Sequence, residues 1–172
     1  RGEPADRILQ AATDSKAGLI GMSTHGRSGV SRLVRGSVAE RVLRASPTPV
    51  FLCNPDGLKD AATRFKRILV PLDGSALSDG ILPWVEELAS TYGSQVTLFR
   101  VKPFVYSSMP SPVLAGELWS EAAARASLEP QRQRLEAAGI EVSVRAAYGI
   151  ESSEILAVAA EVDLVAMTTH GR

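Results

Sequence analysis

The chain has 172 residues, a length sufficient for one compact α/β domain. Of these residues 45% are hydrophobic and 22% are charged, which is a typical composition for a globular protein. Nineteen basic residues balance nineteen acidic ones, so no net charge attracts the chain to nucleic acid or to an anionic membrane. No apolar run approaches the length of a membrane span, and the polar start of the sequence predicts no signal peptide. Cys53 is the only cysteine, which excludes an internal disulfide and favours a cytoplasmic location.

Short apolar segments alternate along the chain with segments of helical periodicity. This alternation predicts an α/β protein with a parallel sheet and helices on both faces. In chain order we predict a helix at 4–13, strand 18–22, helix 38–45, strand 48–53, strand and turn 67–75, helix 78–92, strand 95–101, a loop at 103–113, helix 114–138 (broken near Pro130), strand 141–149, helix 152–161 and strand 163–169.

One sequence pattern occurs twice, near the two ends of the chain. The segment that ends in His25-Gly26-Arg27 recurs as the segment that ends in His170-Gly171-Arg172, about 145 residues later. The repeat indicates that the sequence contains parts of two similar domains arranged in tandem. We therefore predict the C-terminal part of a first repeat at 1–54, a linker at 55–66 and the N-terminal part of a second repeat at 67–172.

A glycine-rich loop follows the first predicted strand and leads into a helix. It contains Gly26, Gly29 and Gly36, and Ser37 then begins a capping-box pattern, S-x-x-E, with Glu40. Backbone N–H groups and the positive end of the helix dipole make such a loop a candidate anion site. Turn formation and helix capping would explain the same residues without a ligand, so both interpretations stay open.

The other polar candidates suggest binding rather than catalysis. Neither His25 nor His170 has a second metal ligand at a suitable spacing, and the sequence lacks the nucleophile-elbow and P-loop motifs. Asp73 ends a predicted strand, where its carboxylate could accept hydrogen bonds from a ribose or simply form the turn. We therefore predict no catalytic residues, no metal site and no enzymatic activity.

Three segments together resemble the universal stress protein (UspA-like) family: "RILVPLDGSALSDGILPWVEELA", "VTLFRV" and "GLIGMSTHGRSGVSRLVRGSVAERVLRASPTPVFL". The resemblance implies a Rossmann-like, open parallel five-stranded sheet of order 3-2-1-4-5. It also implies a small cytoplasmic protein that forms a homodimer or a tandem pseudo-dimer. Many members bind ATP through a G-x-x-G-x9-G-[ST] loop, whose second half is present here from Gly26 to Ser37.

By position, the resemblance implies that Asp73 faces the ribose or adenine and that Val101 meets the adenine through its backbone. The residues implied around the phosphates are Gly26, Arg27, Gly29, Gly36, Ser37 and Val38. Ser23, and Thr168 in the second copy, stand where the family has the first loop glycine.

Two functions follow from the resemblance. One is an adenine-nucleotide-binding stress-response module that holds ATP, with or without Mg²⁺, and does not turn it over rapidly. The other is a stress protein that binds no nucleotide and acts through dimerisation and protein contacts along residues 49–53. Two assemblies are also open: residues 18–22 dock beside 67–71 to build one sheet from two partial repeats, or the repeats stay separate and need another chain. We favour a docked or partner-completed sheet, because an exposed apolar edge strand is costly.

Overall fold

The computed structural model describes residues 3–23, 37–53, 65–103 and 120–168, which divide between two units. The first unit contains α1 (Pro4–Asp14), β1 (Ile20–Ser23), α2 (Ser37–Ala45) and β2 (Val50–Cys53). The second contains β3 (Arg67–Pro71), α3 (Ala76–Asp79), α4 (Leu82–Tyr92), β4 (Gln95–Lys102), α5 (Glu121–Ala126), α6 (Glu129–Ala137), β5 (Val142–Tyr148), α7 (Glu151–Ala159) and β6 (Leu164–Val165).

In the first unit, two helices cover a parallel pair of strands. β1 pairs with β2 in a register that sets Ile20 opposite Val50. Ala5, Ile20 and Val42 are buried together where α1 and α2 pack. Pro4 begins α1, a position where the missing N–H costs no helical hydrogen bond.

In the second unit, four parallel strands form a sheet in the order β5-β4-β3-β6. When these four strands are numbered 1 to 4 along the chain, their order in the sheet is 3-2-1-4. Apolar side chains alternate between the two faces of each strand. Ile68 and Val70 pack on the side of α4 and α6, whereas Leu69 and Phe99 pack on the side of α7. The predicted α/β class with parallel strands and helices on both faces is therefore confirmed for this unit.

Of the two favoured arrangements, docking of residues 18–22 beside 67–71 does not occur in this structure, and completion of the sheet by another chain stays a prediction. The position beside β3 is filled by β6, with Ile68 opposite Leu164, and not by residues 18–22. Within the residues described, the strand that pairs with β1 is β2. β6 follows β5 by way of α7, so it reaches the edge of β3 through an ordinary parallel crossover within one unit. The described residues of the second unit stop at four strands, so the five-stranded order is not present in one sheet.

Most predicted elements occur within one or two residues of their expected ends, and the exceptions have local causes. The helix predicted at 78–92 is two helices, because Ser75 caps a short first turn and a second helix begins with Pro83 near its start. The strand predicted at 163–169 is paired with β3 only at Leu164 and Val165. Most of the 103–113 loop and of the linker lies outside the described residues.

Candidate functional site

The candidate site lies at the carboxyl edge of the second unit's sheet, the edge where open α/β sheets bind ligands. β3 ends at Pro71 and runs into a turn that carries Asp73. The backbone N–H of Ser75 donates to Oδ1 of Asp73 over 2.8 Å. The Ser75 hydroxyl in turn accepts from the N–H of Ser78 over 3.1 Å and caps α3. Asp73 is thus an exposed carboxylate on a turn that is fixed by hydrogen bonds.

The turn keeps Asp73 ionised. Hydrogen bonding by the Ser75 side chain, then by its backbone N–H, then by the Ser78 side chain, lowers the pKa of Asp73 from 3.8 to about 2. Each donor favours the charged form of the carboxyl group. Asp73 can therefore accept hydrogen bonds from hydroxyl groups of a ligand throughout the physiological pH range.

The lowered pKa predicts a pH dependence of stability. Because the folded-state pKa lies below the unfolded one, the contribution of Asp73 is complete above its unfolded pKa and is lost as pH falls through its folded pKa. We expect Asp73→Asn to destabilise the second unit above pH 3.8, with the difference from the wild type shrinking toward a pH of about 2. Urea unfolding of the wild type and of Asp73→Asn across this pH range measures the difference in the free energy of unfolding. A difference that grows with acidity would contradict the assignment.

Val101 offers backbone groups at the same edge. The last β3–β4 pair is Pro71 opposite Phe99, and the N–H of Leu72 still donates to the Phe99 carbonyl over 2.8 Å. Alternate residues of a strand direct their N–H and C=O to the same side, so Val101 directs both toward the space beyond the end of β3. Within the described ranges, neither group has a backbone partner on that side. The structure thus brings Asp73 and Val101 to neighbouring strand ends.

Arg100 also lies at this edge, although no sequence motif marked it as a site residue. Gly74 has a φ of +83°, and a Cβ built on it would stand 2.5 Å from Nη1 of Arg100. The guanidinium therefore rests directly against the turn that carries Asp73. Nη1 donates to Oγ of Ser127 over 2.9 Å. The one sequence signal was a charged residue within the apolar strand "VTLFRV".

Thr168, at the position of the family's first loop glycine, is half-buried after β6. Its methyl group lies 3.9 Å from the point where a Cβ on Gly80 would stand. The side chain therefore contacts the junction of α3 and α4.

The remaining predicted site residues belong to the first unit. Ser37 is the exposed first residue of α2, and Val38 is half-buried and packs against the core of that unit. Oε1 of Glu40 accepts from Nε and Nη2 of Arg44 at 3.2 and 3.0 Å, and the capping box of Ser37 and Glu40 stays a prediction. The predicted phosphate-binding residues Gly26, Arg27, Gly29 and Gly36 lie outside the described residues.

The described ranges contain neither a candidate metal-binding cluster nor a helix that could span a membrane. They contain no group of three His, Cys, Asp or Glu side chains that could hold a metal ion. None of their helices has the length and hydrophobicity needed to cross a membrane.

An open parallel α/β sheet with helices on both faces defines the doubly wound α/β class of folds. The family model described as "Universal stress protein family" matches residues 1–54 and 64–172. The chain therefore belongs to the universal stress protein family.

Relatives in two organisms match part of the chain. A universal stress protein of Methanocaldococcus jannaschii is 45% identical over 51 residues, which is 30% of each chain. The universal stress protein in the QAH/OAS sulfhydrylase 3' region of Thermus aquaticus is 46% identical over 52 residues, 30% of this chain and 38% of that one. The chain thus matches well under half the length of these curated relatives.

Solved structures match over a longer span. The crystal structure of a universal stress protein from Archaeoglobus fulgidus has a TM-score of 0.70 and 26% identity, and covers 93% of this chain and 52% of that chain. UspA from Lactobacillus plantarum, at 24% identity and a TM-score of 0.52, covers 60% of this chain and 76% of that chain. This second match supports the fold alone.

Proposed function

We propose that this chain is an adenine-nucleotide-binding stress-response module that holds ATP, with or without Mg²⁺, and does not turn it over rapidly. The proposal rests on two features at one sheet edge: an ionised carboxylate on a fixed turn, and strand backbone groups that have no backbone partner among the described residues. Asp73 suits ribose hydroxyls, because a carboxylate only accepts hydrogen bonds at neutral pH. The Val101 N–H and C=O suit the donor and acceptor pattern of an adenine edge.

The phosphate-binding part of the proposal falls to the first repeat. In the sequence, the glycine-containing segment from Gly26 to Gly36 precedes α2, a helix of nine residues whose first residue, Ser37, is exposed. Free N–H groups and the dipole of such a helix favour a phosphate at its start. Since Asp73 and Ser37 belong to different repeats, we propose that they represent complementary halves of two equivalent sites in a tandem protein.

The same tandem arrangement accounts for the two sheets. The second unit has the order 3-2-1-4, and β1 and β2 of the first unit form a parallel pair that corresponds to positions 4 and 5. We propose that each repeat belongs to a five-stranded sheet of order 3-2-1-4-5. We also propose a cytoplasmic, non-enzymatic protein that works as a dimer or pseudo-dimer.

The second candidate function is association without nucleotide. It is favoured by Thr168, whose side chain occupies the position of a family glycine and contacts the Gly80 region, where it would narrow the approach to a phosphate. Leu52 on β2 is also exposed. On this view, Leu52→Asp should weaken self-association measured by sedimentation, and ATP should produce no binding heat.

Calorimetric titration of the 172-residue chain with ATP and with adenosine tests the proposed function. We expect both ligands to bind, and Asp73→Asn to weaken both by about tenfold, because a hydrogen bond to a charged acceptor is replaced by a neutral one. Glu87→Gln is the matched control, since it removes one negative charge from an exposed position of α4 and should leave both affinities unchanged.

Absence of binding heat for the wild type at protein concentrations of about 100 μM, where millimolar affinities become detectable, would contradict the nucleotide proposal. Ser37→Ala and Gly36→Val test the phosphate loop separately, in the full tandem protein, where the site of the first repeat has both of its halves. At that site each variant should weaken ATP more than adenosine, because adenosine lacks the phosphates that the loop would hold.

A further inference from the structure

Arg100 is a half-buried cation at the candidate nucleotide edge that no family motif assigns to the site. Most arginines in the described ranges form a salt bridge with a carboxylate, such as Arg67 with Asp163 at 3.2 Å and Arg145 with Glu161 at 2.9 Å. Within the same ranges Arg100 has no carboxylate oxygen within 4.0 Å, and its side chain donates instead to the neutral hydroxyl of Ser127. Its charge is therefore not neutralised by a neighbouring carboxylate there.

We propose that Arg100 is a ligand-contacting residue that selects phosphate-bearing adenine nucleotides over the uncharged nucleoside. The inference rests on the proposed function. It adds to the site formed by Asp73 and Val101 a residue that recognises the negative charge of the ligand.

The guanidinium is held where a ligand at this edge would meet it. Its three atoms Nη1, Nη2 and Cζ lie 2.5, 2.8 and 2.9 Å from the position of a Cβ on Gly74, the residue after Asp73. Ser127 Oγ accepts from Nη1 and itself donates to the Ala124 carbonyl over 2.6 Å, so this hydroxyl is fixed. A guanidinium has five N–H donors, and the Ser127 bond uses one of them.

Charge balance explains why such a cation belongs beside Asp73. An ionised carboxylate at the site attracts hydroxyl donors but repels a polyphosphate. A fixed guanidinium that contacts Gly74, the residue after Asp73, offsets that repulsion. It can also donate charge-assisted hydrogen bonds to phosphate oxygens. Because the side chain is already held by Ser127 and Gly74, ordering it on binding costs little conformational entropy.

Support of the turn is the competing role for Arg100. A residue that only supports Gly74 would act through the position of Asp73, and its loss would weaken ATP and adenosine equally. A residue that contacts phosphate would weaken ATP alone and would reduce the salt dependence of ATP binding, because exposed charge interactions are screened by ions.

The test compares ATP and adenosine binding by calorimetry for the wild type, Arg100→Met, Arg100→Lys and Arg134→Met. Methionine keeps the apolar length of the side chain and removes its charge. We expect Arg100→Met to weaken ATP by about tenfold and adenosine by less than about twofold, and to flatten the salt dependence of ATP binding. Arg100→Lys should retain part of the ATP affinity. Arg134→Met is the matched control, because it removes an arginine that pairs with Glu86 at 3.3 Å, and it should change neither ligand.

Equal weakening of ATP and adenosine by Arg100→Met, or no change in either, would overturn the inference while leaving the proposed function intact. Failure of the wild type to bind either ligand would instead overturn the proposed function, and the inference with it. If Arg100→Met does not fold, Arg100→Lys decides between the two roles. An unchanged ratio of ATP affinity to adenosine affinity, together with an unchanged salt dependence of ATP binding, contradicts contact between the guanidinium and phosphate. A lower ratio of the two affinities supports that contact.

Discussion

Replacement of Phe99 by alanine should lower the free energy of unfolding of the second unit by about 3–5 kcal/mol, the usual cost of removing a buried aromatic side chain. Phe99 lies on β4, a strand paired with both β3 and β5, and is 2% exposed. It packs with Leu69 and Val158 in the layer between the sheet and α7. Because β3 and α7 are anchored by other contacts, the layer cannot collapse to fill the space, and the cavity term adds to the lost transfer energy.

Intrinsic fluorescence during urea unfolding measures this loss, since both tryptophans, Trp84 and Trp119, fall between residues 65 and 168 of the sequence. The matched control is Leu156→Ala on α7, whose side chain is 70% exposed. It should change the free energy of unfolding by less than about 0.5 kcal/mol. A loss below about 1 kcal/mol for Phe99→Ala would mean that the layer repacks, contrary to the buried position of the ring.

The sheet of the second unit was predictable from the sequence because its cause is local. Residues 67–71 and 95–101 are short apolar runs bounded by turn residues, and their near-continuous hydrophobicity reflects burial on both faces of a parallel sheet. Asp73 could be placed at a strand end for the same reason. The turn chemistry of "DGS" further agreed with the observed cap of α3 by Ser75.

Features that depend on distant parts of the chain were not predictable in the same way. The choice between β6 and residues 18–22 beside β3 is a competition between two similar strands, which the pattern of either strand cannot decide. Glu40 fits a capping motif and also pairs with Arg44, a contact that the motif does not include. Arg100 depends on Gly74 and Ser127, which lie 26 and 27 residues away in sequence, so no local pattern marks it.

Gly74 makes the turn of Asp73 possible for two separate reasons, and replacing it by alanine should cost about 2–3 kcal/mol in the free energy of unfolding. One reason is its φ of +83°, which L-residues with a side chain rarely adopt. The other is the Arg100 guanidinium, which occupies the space where a Cβ would stand. The alanine methyl would displace the guanidinium and break its bond to Ser127, so the second cost is about that of one hydrogen bond.

Gly139→Ala separates the two reasons. Gly139 has a φ of +79° in the same unit, and no atom lies within 4 Å of the point where its Cβ would stand, so its replacement should cost only the backbone strain, about 1 kcal/mol. The difference between the two variants then measures the contact with Arg100. In an Arg100→Met background this difference should largely disappear, because the more flexible apolar side chain forms no hydrogen bond to Ser127 that could be lost. If Gly74→Ala costs no more than Gly139→Ala in the wild type, the guanidinium moves aside freely, and the fixed geometry on which its phosphate-selecting role depends would be refuted.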